Sequence, residues 1–294
     1  KGEMIMRKKI LSLVCGLVLA TGLLAGCGSG DTTESTTAAA KSEASSDSSE
    51  DAAKPLEGKH LVFGINATFA PFEYVDGTDS DGNEVLAGLD VDLVKKMSEM
   101  LGFTYEFSDM EFNGLIGAIG SGRCDAIVSG ISMNEERAAV VDATDPYFMP
   151  KISILSYADN EFKDVASLEG HSCGVSLGTV YDTICSDDGK IDVKTYDSTA
   201  IAFQDLQNKG VEACMFDATQ AQKFIDDNPD LNLVRNLLPD SYCIEYEVQG
   251  YCVLVPKGDT ELLDAFNQAI DELQADGTLN EYIKKWCGED YITE

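Results

Sequence analysis

Residues 129–137 carry the sequence Ser-Gly-Ile-Ser-Met-Asn-Glu-Glu-Arg, which follows an apolar run and precedes a second, short one. The first run, Cys124–Val128, predicts a buried strand, and Asn134 is expected to open a short helix that continues to Val141. Small residues with free backbone N–H groups would then follow a strand end, with Arg137 one turn into the next helix. Backbone donors beside a planar guanidinium predict a site that binds a carboxylate.

The composition narrows the classes of function. The 294 residues carry a formal net charge of −31, which argues against binding to nucleic acid and against electrostatic binding to a membrane. Only two histidines are present, so a histidine-based metal site is not expected, and no phosphate-binding loop indicates a nucleotide cofactor. The acidic residues of Asp76–Asp81 lack the glutamate spacing of a calcium loop, so they are expected in a solvated hairpin turn.

The N-terminal segment has the pattern of a secretory signal. Basic residues precede an apolar stretch, Ile10–Leu24, and residues 24–27 are Leu-Ala-Gly-Cys. This ending resembles a bacterial lipobox, which implies removal of residues 1–26 and attachment of lipid to Cys27. The alternative is a plain signal peptide beside an unrelated cysteine. Residues 27–58 are rich in Ser, Thr, Ala and acidic residues and are expected to form a disordered tether.

The cysteines leave the disulfide pattern open. Seven of them follow the predicted lipid attachment site, an odd number, so a monomer would keep at least one unpaired. Bridges between Cys173 and Cys185, or between Cys243 and Cys252, are alternatives to simple burial as small apolar side chains.

Strand and helix patterns alternate from residue 59 onward, which is typical of an α/β architecture with largely parallel sheets. The predicted strands are Leu61–Ile65, Thr104–Phe107, Cys124–Val128, Ile152–Tyr157, Ser172–Ser176, Ala213–Phe216, Leu231–Val234 and Tyr251–Val255. The predicted helices include one with a stripe from Leu89 to Leu101, one that ends at Gly120, one that begins near Ser198, and a long one that ends before Gly277.

Several motifs in order resemble those of the polar amino-acid-binding family of ABC-transporter solute-binding proteins. They are Gly64–Glu73 (GINATFAPFE), Gly88–Leu93 (GLDVDL), Phe112–Ile116 (FNGLI), Ser129–Arg137, Asp145–Phe148 (DPYF), Pro256–Gly258 (PKG) and Ala275–Thr278 (ADGT). The resemblance spans Lys59 to Gly288 and implies a periplasmic-binding-protein-like type II fold, two α/β lobes joined by two hinge strands. Lobe 1 would comprise 59–146 plus 252–294, and lobe 2 would comprise 152–246. The hinges would be 147–151 and 247–251.

The same resemblance implies roles for individual residues. Arg137 would bind the α-carboxylate of an amino acid, with Gly130 and Ser132, beside Ser129, as backbone and hydroxyl partners. Thr179, which follows Gly178 at the start of a lobe 2 helix, would reach that carboxylate from across the cleft. The remaining implied ligand contacts are Asp217 for the α-ammonium, and Phe69 and Phe112 around the ligand side chain.

Other roles remain open for some of these residues. Asp217 also fits the position that caps a helix starting at Ala218, and Phe69 and Phe112 also fit a plain core. Asn66 stands where many members of the family have aspartate, and an amide is neutral. This departure, with Phe216 beside Asp217, favours a neutral or apolar-bodied amino acid such as cystine, glutamine or an aromatic one.

The resemblance implies capture of a free amino acid by lobe closure and its delivery to an ABC permease and its ATPase. The protein would be a monomer at the outer face of the cytoplasmic membrane, and the Ser/Thr-rich acidic tether favours a Gram-positive cell surface. One alternative is a cyclohexadienyl or arogenate dehydratase on the same fold, with Glu73, Glu245 or Glu247 as a general acid. Another is an extracellular amino-acid sensor. No paired carboxylate motif supports an enzyme.

Overall fold

The computed structural model describes residues 54–187 and 189–292. The predicted signal, Cys27 and most of the predicted tether lie outside these residues. Within them, no helix is both long and apolar enough to cross a membrane.

Residues 54–187 and 189–292 form thirteen strands and eight α-helices. In chain order they are β1 His60–Ile65, β2 Thr68–Phe69, β3 Glu73–Thr78, β4 Glu84–Ala87, α1 Leu89–Leu101, β5 Thr104–Asp109, α2 Leu115–Gly120, β6 Ala126–Ile127, β7 Val141–Ala143, β8 Ile152–Tyr157, β9 Ser172–Ser176, α3 Val180–Asp187, β10 Asp192–Tyr196, α4 Thr199–Gln207, β11 Ala213–Asp217, α5 Ala218–Asp227, β12 Leu233–Leu237, α6 Ser241–Glu245, β13 Leu254–Pro256, α7 Thr260–Ala275 and α8 Thr278–Trp286. Most predicted elements are confirmed within a few residues.

Two five-stranded sheets define two lobes, and the sheets share one pattern of strand directions. The first has the order β5-β1-β6-β13-β7, and the second has the order β10-β9-β11-β8-β12. In each sheet three neighbouring strands are parallel, and the fourth runs antiparallel to both of its neighbours. The antiparallel strands β8 and β13 each follow a segment that passes between the sheets. In each sheet four of the five strands therefore run in the same direction, and two of the four strand pairings are parallel.

One apolar face of α1 is packed into the core of the first lobe. Leu89, Leu93, Met97 and Leu101 recur at four-residue spacing along α1, and all four are buried. Leu56 is also buried in this core, and its backbone N–H donates to the carbonyl of Leu101 at 2.9 Å. The folded part thus begins before residue 59, where the sequence placed the end of the tether, because an apolar side chain in that segment packs into the core.

The two segments that pass between the lobes are hydrogen-bonded to each other. Residue Tyr147 donates to the carbonyl of Tyr251 at 2.8 Å, and Tyr251 donates to the carbonyl of Phe148 at 2.7 Å. The rings of Phe148 and Tyr251 stack with centroids 5.6 Å apart. This pairing places Tyr251 at the neck of the molecule, within reach of both lobes.

The short helix predicted to continue to Val141 is corrected. Arg137–Ala139 form a single 3-10 turn, and Val141 lies in β7. Pairing of β7 with β13 takes this stretch into the sheet, so the short helix does not reach Val141. Asn134 still lies just before the turn, and its side-chain oxygen accepts from the Arg137 N–H at 2.8 Å.

The seven described cysteines are free thiols. The sulfur atoms of Cys173 and Cys185 are 3.8 Å apart, compared with about 2 Å in a disulfide. Cys243 and Cys252 contact different backbone carbonyls, those of Pro150 and Ile131. Both candidate pairs are therefore unbridged in this structure.

Candidate ligand-binding cleft

A cleft lies between the two lobes at the carboxyl ends of parallel strands, the usual location of ligands in α/β proteins. It holds about 540 Å³ of space free of protein atoms, part of it open to solvent. The first lobe contributes Asn66, Phe69, Phe112, Gly130, Ser132 and Arg137 to its wall. The second lobe contributes Ser176, Thr179, Val180, Tyr181 and Thr199, and the neck contributes Tyr251.

Arg137 is the cationic centre of the cleft. Its guanidinium donates to the backbone carbonyl of Ser132 in its own lobe and to that of Gly178 in the other lobe, the second at 3.1 Å. The group also lies 5.5 Å from the ring centroid of Phe112, within range of a cation–π contact. Burial lowers the pKa of Arg137 from its usual value. These contacts occupy two of the five guanidinium N–H donors and leave the others for a ligand.

Three residues of the turn after β6 were predicted to contact the ligand, and two of them already donate to other groups of the protein. The Gly130 N–H is not free, since it donates to the Asp90 carboxylate at 2.8 Å. The Ser129 hydroxyl is buried behind the wall and donates to Glu73 at 2.6 Å. Ser132 does line the cleft, and its hydroxyl and N–H have no hydrogen-bond partner among the described residues. Of the three predicted partners of Arg137, Ser132 is thus the one with donors to offer.

Helix α3 aims its N-terminus into the cleft from the second lobe. Thr179 precedes the helix, and its hydroxyl donates to the Ser176 carbonyl at 2.7 Å and accepts from the Asp182 N–H at 3.3 Å. The first N–H groups of a helix have no partner within it, so those of Val180 and Tyr181 are donors at the wall. Gly178 takes part through its carbonyl, which accepts from Arg137.

Phe69 and Phe112 both lie on the cleft wall, although Phe69 is also tied to the core. Its ring stacks on Phe72 at 5.0 Å between centroids and meets the edge of Tyr251 at 6.2 Å. A Cβ atom on Gly130 would lie 2.3 Å from the Phe69 ring, and the φ of Gly130 is +48°. Only glycine therefore fits at position 130 beside this ring.

Asp217 lies behind the wall rather than on it. Its carboxylate caps α5 by accepting from the N–H groups of Thr219 and Gln220, at 2.7 and 3.4 Å. Its second oxygen accepts from the Tyr251 hydroxyl at 3.0 Å, and Tyr251 in turn meets the Tyr181 hydroxyl at 3.3 Å. The capping alternative is confirmed. The carboxylate nevertheless remains one hydroxyl away from the cleft.

Asn66 lines the cleft with an amide that is already bonded. Its nitrogen donates to the Met110 carbonyl at 2.9 Å, and its oxygen accepts from the Thr68 hydroxyl at 2.8 Å. Phe216, by contrast, is fully buried against Phe224 in the core of the second lobe and does not reach the cleft.

Five residues of the cleft wall were not predicted from the sequence. For four of them, the sequence contained a feature that could have indicated their position at the cleft. Ser176 ends a predicted strand, where ligands bind in α/β folds. Val180 and Tyr181 begin the helix that Thr179 precedes, and Thr199 begins the helix predicted near Ser198. Tyr251 carried no such signal, because it lines the cleft only through the pairing of two distant segments at the neck.

Among the described residues that line the cleft, Arg137 alone carries a formal charge. The nearby acids, Asp217, Glu73 and Asp90, are buried behind the wall. A two-lobed α/β protein with a half-buried guanidinium and a helix N-terminus on opposite walls belongs to the class that binds a small solute with an anionic group between its lobes.

Comparisons with known proteins agree with this class. Residues 61–289 match the model of the bacterial extracellular solute-binding proteins, family 3. The arginine-binding extracellular protein ArtP of Bacillus subtilis is 30% identical over 231 residues, which are 78% of this chain and 86% of that protein. The L-cystine-binding protein TcyJ of Escherichia coli is 29% identical over 233 residues, which are 78% of this chain and 83% of that protein. A solved structure, an ancestral arginine-binding protein bound to glutamine, matches with a TM-score of 0.69 and 33% identity over 78% of this chain and 98% of that one.

The chain belongs to the bacterial extracellular solute-binding proteins of family 3. It is a solute-binding protein of the ABC-transport type rather than an enzyme, and the expected fold class is confirmed. The dehydratase alternative finds no support in these relatives. None of its three candidate acids lines the cleft, because Glu73 is buried behind the wall and Glu245 and Glu247 are exposed elsewhere.

Proposed function

We propose that the cleft binds a free α-amino acid with a neutral side chain. The single observation that carries the proposal is the charge of the wall, on which Arg137 is the one formally charged residue among those described. A half-buried cation with no acid beside it on the wall favours an anionic partner, and the α-carboxylate is the anion that every amino acid offers. The relatives named for arginine and for cystine support an amino acid as the solute.

The carboxylate would be held by both lobes. Arg137 supplies a planar pair of N–H donors, and Ser132 adds a hydroxyl and an N–H from the same lobe. From the second lobe, the N-terminus of α3 supplies the N–H groups of Val180 and Tyr181 with a favourable helix dipole. An anion in this position would join the lobes, which is how ligand binding would favour closure.

The α-ammonium would bind at the Tyr251 side of the cleft. Asp217 is the acid nearest the wall on this side, and the Tyr251 hydroxyl now occupies one of its oxygens at 3.0 Å. An ammonium group could displace that hydroxyl or share it. In this arrangement Asp217 would serve both as the α5 cap and as the ammonium acceptor, two roles that the sequence analysis gave as alternatives.

The ligand side chain would lie between Phe69 and Phe112 and extend toward Asn66. A guanidinium or ammonium side chain would lose its water there without gaining an ionised partner, which is costly. A neutral amide, disulfide or aromatic side chain meets no such penalty. We therefore place glutamine, cystine and aromatic amino acids ahead of arginine and lysine.

The wider setting rests on the sequence. We infer that lipid on Cys27 anchors the monomeric protein at the outer face of the cytoplasmic membrane, with the permease and its ATPase as partners. The lobes would be joined at hinges 147–151 and 247–251. Metabolic labelling with a fatty-acid analogue tests the anchor, and loss of label in Cys27→Ser is the expected result.

A thermal-shift screen of the standard amino acids and cystine tests the proposal directly, because a ligand that binds only the folded state raises the melting temperature. We expect neutral amino acids to give the largest shifts. The largest shift with arginine or lysine would overturn the neutral-ligand proposal, and no shift with any amino acid would overturn amino-acid binding itself.

A further inference from the structure

A second, buried site lies directly behind the cleft wall in the first lobe. Glu73 begins β3, Asp90 lies in the first turn of α1, and both side chains are fully buried. The two carboxyl groups contact each other. Neither lines the cleft, yet each is bonded to a residue of the turn that does.

The two acids differ in the number of hydrogen-bond donors that reach their oxygens. One Asp90 oxygen accepts from the Tyr147 hydroxyl and the other from the Gly130 N–H, both at 2.8 Å. One Glu73 oxygen accepts from the Ser129 hydroxyl at 2.6 Å, and the other has no donor among the described residues. Asp90 also benefits from its place at a helix N-terminus. Asp90 is therefore equipped to be ionised and Glu73 is not.

Two carboxylates in contact in a buried site do not both ionise readily, because their charges repel in a medium of low dielectric. A proton on the orphaned oxygen of Glu73 removes one charge and supplies a donor for Asp90. The same proton gives the orphaned oxygen the hydrogen-bond partner that a buried polar atom requires. Full burial of both groups and the unequal number of donors that reach them thus favour one neutral and one ionised group.

We propose that Glu73 is a positioning residue, neutral and donating its proton to Asp90, and that this pair fixes the Ser129–Gly130 turn under the ligand. Through Ser129 the pair also reaches Asn66, whose N–H donates to the Ser129 hydroxyl oxygen at 3.0 Å. Through Gly130 the pair fixes the position of the backbone that packs against the Phe69 ring. The inference rests on the proposed function where it concerns the ligand, but the state of Glu73 can be measured without one.

Burial and the neighbouring acids favour retention of the proton on Glu73, and the hydrogen bond from Ser129 opposes them by lowering its pKa. Burial raises the pKa of Glu73 well above its usual value, and the neighbouring Asp90 and Asp109 carboxylates raise it further. Burial raises the pKa of Asp90 to about 6, against the hydrogen bonds from Gly130 and Tyr147 that lower it. Tyr147, from the neck, is the other titratable group in contact with the pair, and burial raises its pKa as well.

The sign of the pH effect follows from linkage. Glu73 keeps its proton in the folded state above the pH at which the unfolded chain releases it, so stability falls as pH rises through the folded-state pKa. Glu73→Gln preserves a neutral donor and an acceptor, whereas Glu73→Leu removes both. Glu84→Gln, at an exposed position on the same hairpin, makes the same chemical change away from the pair.

Infrared spectroscopy of the unliganded protein at about pH 7 tests the protonation state directly. A protonated-carboxyl C=O band should be present in the wild type and in Glu84→Gln and absent in Glu73→Gln. The same band in Glu73→Gln would overturn the proposal. Because no ligand is involved, failure here is separate from failure of the proposed function.

The pH profiles of melting temperature and of affinity for the best amino acid from the screen test the consequence. We expect Glu73→Gln to flatten the alkaline loss of stability that the wild type shows. We also expect it to bind at least about tenfold more tightly than Glu73→Leu at neutral pH. Equal loss of affinity in Glu73→Gln and Glu73→Leu would overturn the proposal. A pH profile of melting temperature in Glu73→Gln identical to that of the wild type would overturn it as well. If Glu73→Leu does not fold, the infrared spectra and the pH profile of melting temperature in Glu73→Gln still test the proposal.

Discussion

The two walls of the cleft differ in chemistry although they stand on sheets with the same pattern of strand directions. The first lobe presents side chains: the Arg137 guanidinium, two phenylalanine rings and the Asn66 amide. The second lobe presents the start of α3, with its backbone N–H groups and small hydroxyl side chains. We infer that the first lobe recognises the charge and shape of the ligand. The second lobe would then close on it with donors that suit any carboxylate.

The largest expected effect comes from removing the charge of the first wall. Arg137→Ala should weaken amino-acid binding by about 3–5 kcal/mol, because a buried ligand carboxylate would lose its ion pair. Arg123→Ala is the matched control, since Arg123 is exposed on the same lobe. Calorimetric titration measures both variants, and affinity in Arg137→Ala within a few-fold of that in the control would refute the assignment.

Gly130→Ala should destabilise the turn that forms part of the first-lobe wall. A Cβ atom would meet the Phe69 ring at 2.3 Å from a backbone with φ of +48°, so we expect a loss of about 2–4 kcal/mol in unfolding free energy. Chemical denaturation measures this loss. Gly117→Ala serves as control, because nothing lies within 4 Å of its added Cβ and alanine favours a helix. Equal stability of the two variants would mean that the turn is not tightly packed.

Asn66→Asp should change the selectivity of the first wall. It adds an acid to the cleft, so we expect arginine to gain about tenfold in affinity relative to the best neutral ligand. The substitution also removes the donor to Met110, so absolute affinities are compared only as ratios. Asn208→Asp adds the same charge at an exposed position. Parallel shifts in both variants would show that general charge, rather than the wall, sets selectivity.

The smallest effect is expected on the second wall. Thr179→Ala removes the hydroxyl that accepts from Asp182 and orders the start of α3, so affinity and stability should each fall by about 1 kcal/mol. Thr179→Ser should restore both. Asp259→Ala, which removes the cap of α7 outside the cleft, should lower stability alone. A loss of affinity in Asp259→Ala equal to that in Thr179→Ala would show that the effect is global.

The same contrast separates what the sequence predicts from what it does not. The apolar stripe of α1, the start of α4 near Ser198 and the position of the Arg137 turn follow from spacing within a few residues. The bonds of Gly130 to Asp90 and of Ser129 to Glu73 join residues 40 and 56 positions apart, so local pattern could not show that these donors were already taken. Tyr251 and the partners of Asp217 depend in the same way on the neck, where distant segments meet.

The central claim is that Arg137 binds the α-carboxylate of the ligand. Its most direct test compares the best amino acid with its α-carboxamide by calorimetry, in the wild type and in Arg137→Ala. The amide keeps the ammonium and side chain but lacks the negative charge. We predict that it binds the wild type at least about 2 kcal/mol more weakly than the acid does, and that Arg137→Ala abolishes the difference. Equal binding of acid and amide to the wild type would contradict the claim.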